Sequence, residues 1–369
     1  MAITKIPAAG FTGNNFRNII INGDMSIAQR GTSSSGITSG GVYYTVDRWE
    51  TELTTLGTWT QSQSTDVPSG QGFAKSLKMD CTTADASPAS GDRLYVRTLF
   101  EGQNLQYLKK GTANAESLTL SFWVKSAKTG TYIVFFYDQD NARSISKSYT
   151  IDTANTWEKK TLTFAGDTTG AFDNDNALSL QVNFFLGGGS DWTSGTLNTS
   201  WNSWTQANSA VGSVNLADST SNDWYITGVQ LEAGTTASDF EFLPYDVNLQ
   251  RCERYFKNVV QNNASSGETH LGMAAQYTGS VAYGTFDLGY RMRTIPSVTF
   301  PSGTNYYDVN GNATGNQINA PGGFVNLGDG ASLRGRIQLT QNNTQGVAVW
   351  YRFSSNAPST ATITASAEL

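Results

Sequence analysis

The chain has 369 residues, of which 15% are charged, with a formal net charge of −6 and a single histidine. Sparse, net-acidic charge excludes a nucleic-acid groove, which needs a dense field of lysine and arginine to meet phosphates. No apolar run approaches the roughly 18 residues of a membrane-spanning helix, so no membrane insertion is expected.

The length allows two or three domains at roughly 150 residues each. Many short β-branched and aromatic runs, separated by turn residues drawn from 37 glycines and abundant Asn and Ser, predict antiparallel sheet. Residues 1–17 (MAITKIPAAGFTGNNFR) have no hydrophobic period and read as an N-terminal attachment arm. They lack the apolar core of an export signal. The chain is therefore expected to assemble inside a cell, with Cys81 and Cys252 both reduced.

From Asn18 the pattern turns strand-like. NIIINGDMSIAQRG predicts a buried run, a turn and a second short strand, and YYTVDRWETEL, WTQSQSTDVP, FAKSLKMDCTT and DRLYVRTLFEG follow. A short helix is expected around EGQNLQYLKKG. LTLSFWVKS and TYIVFFYD read as a hairpin-like pair around SAKTGT. SKSYTIDTANTWEKKTLTFAG, LSLQVNFFLGGG and, after a polar insert, DWYITGVQLEAG complete a domain over 18–246. Val247–Val260 reads as a linker helix, because Leu249, Cys252, Phe256 and Val259 break strand alternation and Pro244 lies just before. HLGMAAQYTG, VAYGTFDLGYRM, LRGRIQLTQN, GVAVWYRFSS and ATITASAEL make 261–369 a second β domain. The expected class is all-β: a jelly-roll β-sandwich, a short helical linker and a second, C-terminal β-sandwich. No fixed repeat period supports a solenoid.

NIIINGDMSIAQRG…YTVDRW resembles the start of a jelly-roll module of phage tail proteins, and DWYITGVQLEAGTTASDFEFLPYDVNLQRCERYF resembles its closing strand and linker. LTLSFWVKSAKTGTY and YTIDTANTWEKKTLTF are similar to hairpins of carbohydrate-binding-module jelly rolls. The resemblance covers about residues 18–257, with the motifs in order; 261–369 resembles fibre-tip β domains only generically. It implies a non-enzymatic structural protein of the virion, a homotrimeric tail fibre or receptor-binding protein. Its partners would be its own copies, other phage tail or capsid proteins and a host-surface glycan. A head decoration, cement or head-fibre protein is the alternative, and a polysaccharide hydrolase the third.

Three tryptophans in the insert DWTSGTLNTSWNSWTQAN, Trp192, Trp201 and Trp204, are the candidate glycan-binding residues. Sugar rings offer C–H faces to an indole while Asn, Ser and Thr bond the hydroxyls. The competing reading packs these rings under the loop or into a subunit interface. Asp24, Asp138, Asp140, Asp173 and Asp175 are candidate oxygen ligands for a structural Ca²⁺, with ordinary turn chemistry favoured over it; no other cofactor is expected. His270 in ETHLGM has no neighbouring nucleophile motif, and GxSxG, HExxH and P-loop patterns are missing, so no catalytic residue is assigned.

Overall fold

The computed structural model describes residues 16–262, 269–278, 281–289, 291–311, 314–318, 320–321, 323–326, 334–340 and 348–369. The chain divides into two compact units, the first ending at Asn248 and the second starting at Leu249.

In the first unit the strands are β1 (Ser33–Val42), β2 (Glu50–Ser64), β3 (Ser76–Thr83), β4 (Arg93–Glu101), β5 (Leu118–Ser126), β6 (Gly130–Asp138), β7 (Arg143–Ile151), β8 (Glu158–Phe164), β9 (Leu178–Gly188), β10 (Asn202–Ser203) and β11 (Asp223–Ala233). Their order is β10-β7-β6-β9-β4-β2-β3-β11-β5-β8, with β1 added on β2. The long strand β2 serves two neighbours: Glu50–Thr55 pairs with β4 and Thr58–Ser64 with β3. Between these halves Thr54 and Thr55 both oppose Arg93, and Thr55 and Gly57 take positive φ values of 48° and 73°. This bulge bends the strand. The sheet folds over there into two layers, and the rings between them confirm a sandwich. Phe184 of β9 meets Phe122 of β5 at 5.2 Å and Trp224 of β11 at 6.1 Å, and Phe136 of β6 stacks on Phe164 of β8 at 3.9 Å.

Alternation sets the two faces of each layer. On β5, Leu118, Leu120, Phe122 and Val124 enter the core; on β4, Leu94 and Val96 do so. On β11, Trp224 and Ile226 point inward, then a register shift lets Val229 and Leu231 do the same. Gly228 makes that shift at φ 61°, where a side chain would strike the ring of Phe73.

Several sequence expectations are corrected here. Residues 18–31 form no strand; the chain is irregular, although Ile20, Met25 and Ile27 are buried as expected. Side-chain amides replace the ladder. Asn18 donates to Val229 O and accepts from Leu231 N, while Asn22, at φ 58°, donates to Ile27 O and Asp47 O and accepts from Ile27 N. Asn248 in turn accepts from Asn22 N. Nor do β5 and β6 form a hairpin. Each is buried almost throughout and takes two partners in its own layer, β5 between β11 and β8 and β6 between β7 and β9, so SAKTG crosses between layers. The helix expected near EGQNLQYLKKG is two 3₁₀ turns, Gly102–Asn104 and Gln106–Leu108.

The insert holds one helical turn, α1 (Ser190–Thr193), and α2 (Tyr245–Glu253) contains the end of the first unit. The helix expected at 247–260 is thus shorter and begins earlier. Phe256 already starts β12 (Phe256–Gln261), where β-branched Val259 and Val260 favour a pleated strand and pack on the second core.

The second unit continues with β13 (His270–Thr278), β14 (Val281–Asp287), β15 (Ser297–Thr299), β16 (Tyr307–Gly311), β17 (Thr314–Ile318), β18 (Gly323–Asn326), β19 (Arg334–Thr340), β20 (Ala348–Phe353) and β21 (Thr362–Ser366). They form sheets ordered β12-β21-β15 and β17-β16-β20-β13-β14-β19-β18. Ile363 and Ala365 of the first share a core with Tyr307, Val309, Tyr351 and Phe353 of the second.

Asn22→Ala removes donors from two buried carbonyls and leaves alanine in the left-handed region. Each lost hydrogen bond contributes about 0.5–1.5 kcal/mol and the left-handed alanine costs about 1–2 kcal/mol more, so urea unfolding should show a loss of at least about 2 kcal/mol. Exposed Asn114→Ala should change stability by less than about 0.5 kcal/mol.

Candidate functional site

The outward face of the layer around β4 carries polar and aromatic residues. Opposite Leu94 and Val96, strand β4 presents Arg93, Tyr95 and Arg97; β2 adds Glu50 and Glu52, β9 adds Gln181, Asn183 and Phe185, and β6 adds Phe135 and Tyr137. A cleft of about 330 Å³ opens on this face. Its floor is Tyr95, Phe135 and Trp192, and its rim includes Glu52, Tyr137, Trp204 and Gln206.

The insert after β9 makes one wall. Gly189 passes so close to Ala89 O that a side chain would collide, which places α1 against the sheet. Trp192 then lies 5.7 Å from Tyr95, 5.9 Å from Phe185 and 6.2 Å from Phe135, buried to 5%. Trp204 follows by donating its backbone N–H to Ala142 O at 2.8 Å. Its ring stands 5.2 Å from Tyr137, its Nε1 donates to Ser209 Oγ, and it remains 36% exposed.

Charge in the cleft is paired. Arg93 Nη2 reaches Glu52 Oε1 at 2.6 Å; Arg97 Nη2 reaches Glu50 Oε1 at 2.5 Å and Glu52 Oε2 at 3.5 Å. Burial works against the Arg97 charge, but the Glu50 and Glu52 carboxylates outweigh it and raise its pKa. The guanidinium groups also lie over rings, Arg93 on Trp192 at 5.6 Å and Arg97 on Tyr95 at 5.6 Å. Three buried donors face no acceptor of the protein: Arg93 Nε, Arg97 Nε and Trp192 Nε1. The buried Asn183 Oδ1 likewise lacks a donor.

The three candidate tryptophans do not form one site. Trp192 is floor, Trp204 is rim, and Trp201 lies elsewhere, covering the buried Lys110 at 5.5 Å with its Nε1 donating to Ala165 O. The short strand β10 pairs with β7 between Trp201 and Trp204 and separates them. Under Trp201, Lys110 bridges Asp138 at 2.5 Å and Asp167 at 3.1 Å, and Arg143 Nε holds Asp167 at 2.7 Å. Burial pushes the Asp167 carboxyl up, but Arg143 and Lys110 bring it below the usual range.

Among the described residues the candidate calcium ligands do not gather into a set that could hold a metal ion. Asp24 accepts from Ser26 and Asn248, far in the fold from Asp138. Asp138 is occupied by Lys110, Asn141 and the backbone N–H of Asp140, closing the β6–β7 turn. Asp140 accepts from Asp173 N, and Asp175 caps Ala177 N. Calcium takes roughly six to eight oxygens, and among the described residues no three His, Cys, Asp or Glu side chains gather. These aspartates do turn chemistry. His270 lies on the exposed surface of β13 with its ring 5.0 Å from Trp350. Sequence reading missed Arg93, Tyr95, Arg97, Glu50 and Glu52, although alternation in DRLYVRTLF already places its arginines and tyrosine on one face.

No family model and no curated protein matches the chain. Solved structures similar to it include the enzymatically active domain of tailspike protein 4 of bacteriophage CBA120, at TM-score 0.31 and 16% identity over 59% of this chain. The chain spans only 21% of that structure's length. A family 11 carbohydrate-binding module from Clostridium thermocellum, in complex with a β-1,3-1,4-mixed-linked tetrasaccharide, gives TM-score 0.27 at 12% identity, covering 56% of this chain and 98% of that one. A C-terminal family 22 carbohydrate-binding module from Clostridium thermocellum gives TM-score 0.27 at 12% identity, covering 57% of this chain and 100% of that one.

Burial pushes the Tyr95 phenol up from 10.0 to about 12. Between those values an unfolded tyrosine ionises while the folded one keeps its proton, so stability is intact below pH 10 and falls as pH rises. Thermal unfolding across this window should show that fall, and Tyr95→Phe should make it shallower.

Proposed function

We propose that the first unit is a glycan-binding jelly roll, and that the chain is a non-catalytic attachment protein of a phage virion. The observation that carries the binding role is the cleft itself: paired arginine and glutamate side chains beside a rim where Trp204 and Tyr137 present their rings. Aromatic faces receive sugar C–H patches, while the Arg–Glu pairs and Gln181 and Gln206 receive hydroxyls. Hydroxyl-rich ligands need this mixture of stacking surface and paired polar groups.

The non-catalytic reading is supported by the state of the cleft's carboxylates. Glycoside hydrolysis uses two acidic groups flanking the bond, one to protonate and one to attack or activate water. Glu50 and Glu52 are instead neighbours on one strand face, each engaged by an arginine. The virion role is supported by the resemblance of NIIINGDMSIAQRG and DWYITGVQLEAG to phage tail modules. Homotrimerisation would fit that role, since several weak cleft contacts on one particle sum to firm attachment.

Screening the full chain on a glycan array, followed by titration calorimetry on the hits, tests the binding reading. Trp204→Ala and Tyr137→Ala should each weaken binding about tenfold, equivalent to ~1.4 kcal/mol, with the circular dichroism spectrum unchanged. Absence of any bound glycan, or hits indifferent to both substitutions, would refute it.

A further inference from the structure

The charged side chains that line the cleft are Glu52, Arg93 and Arg97, and Glu50 stands behind them, paired with Arg97. We infer that Glu52, assisted by Glu50, is a specificity filter that restricts this cleft to uncharged glycans and turns away carboxylated or sulfated ones. The inference rests on the glycan-binding reading and concerns which glycans that site accepts.

Arginines in a ligand cleft ordinarily favour anions, because a guanidinium fork matches a carboxylate or sulfate. Here both forks are already spoken for on the Nη side. Glu52 spans the two arginines, accepting from Arg93 at 2.6 Å and from Arg97 at 3.5 Å, and Glu50 closes on Arg97 at 2.5 Å. What a ligand meets is the edge of these pairs that stays open to solvent, with the Arg93 side chain 28% exposed, Arg97 17% and Glu52 14%. Beside the guanidinium donors stand the glutamate oxygens, which can only accept. A sugar hydroxyl satisfies both partners, accepting from a guanidinium N–H and donating to Glu52. A carboxylate or sulfate can accept but cannot donate, and it would bring a like charge beside Glu52 in a partly desolvated site.

The fold keeps the carboxylates in place. Glu50 and Glu52 have side chains only 4% and 14% exposed. On the adjoining strand β1, a side chain at Gly41 would strike both of their carboxyl groups. Burial and the pairing with Arg93 and Arg97 hold both carboxylates in place.

The probe is an array of neutral hexose oligosaccharides printed beside their uronic-acid counterparts, with calorimetry on matched pairs. For the unaltered chain the neutral member of a pair should bind at least about tenfold more tightly, or ~1.4 kcal/mol. Glu52→Gln keeps the shape and a hydrogen-bond acceptor but removes the charge, and it should shrink or invert that ratio. Because Glu52→Gln could disturb Arg93, the unaltered chain provides a second measurement. Added salt should narrow the discrimination, since screening weakens like-charge repulsion. Tighter binding of uronic-acid members by the unaltered chain, or a ratio unmoved by both Glu52→Gln and salt, overturns the filter and leaves glycan binding standing. If neither member of any pair binds, the underlying reading fails and the filter with it.

Discussion

The constraint on which the first unit depends is the bent strand β2. It pairs with β4 over one half and β3 over the other, so a single stretch of backbone belongs to both layers. At the bend, Leu56 and Trp59 are fully buried, and Trp59 Nε1 bonds back to Leu56 O at 2.7 Å. A straight β2 would extend one sheet and leave the apolar faces of β4, β9 and β6 without a covering layer. The bend brings β3, β11, β5 and β8 across them instead. Because the inner faces of β4, β9 and β6 are committed to that core, their alternating partners must face outward. The cleft exists because the sandwich does.

Arg–Glu pairs that are mostly buried are weak support for stability, since desolvation offsets much of their attraction. An apolar patch of the same volume would have served the fold as well. Their place on the outward face of the layer is what the binding proposed above would use. The Lys110–Asp138–Asp167–Arg143 cluster is different. Lys110 also donates to Thr169 O and Gly170 O, and Asp138 takes the N–H groups of its own turn, so every charge there finds protein partners. One cluster is closed and the other is open, and only the open one lines a sizeable cleft.

The class of fold was legible because period-2 alternation and turn residues are local signals. LTLSFWVKS, LSLQVNFFLGG and DWYITGVQLEA are strands where the pattern put them. Pairing was not legible, because two well-buried neighbours such as β5 and β6 look the same whether they share a layer or face each other across the core. The irregular opening was misread for a related reason. NIII is apolar enough for a strand, and only its contacts reveal that Asn18 and Asn22 stand in for a ladder across more than two hundred residues. Tryptophan density pointed to a loop of which Trp192 and Trp204 line the cleft and Trp201 does not, since nothing local says that β10 turns Trp201 and Trp204 to different neighbours. The arginines and glutamates went unnoticed because each is unremarkable alone; the register of β2 on β4 makes them a set.

Rigidity ties these features together. A sugar-sized ligand gains little from any one contact, so a binding surface must not lose that gain to ordering its own side chains. Trp204 sits on a loop, which by itself would be a mobile support. The loop is anchored on both sides of it, by Trp192 packed on Tyr95 and Phe185 and by Ala210 N bonded to Trp192 O at 3.0 Å. Its own N–H is tied to the β6–β7 turn, the turn that Asp138 stabilises. The buried tryptophan thus anchors the loop that carries the exposed one. The aromatic enrichment that sequence reading weighed between packing and binding is divided in the fold between a buried ring, Trp192, and a partly exposed one, Trp204.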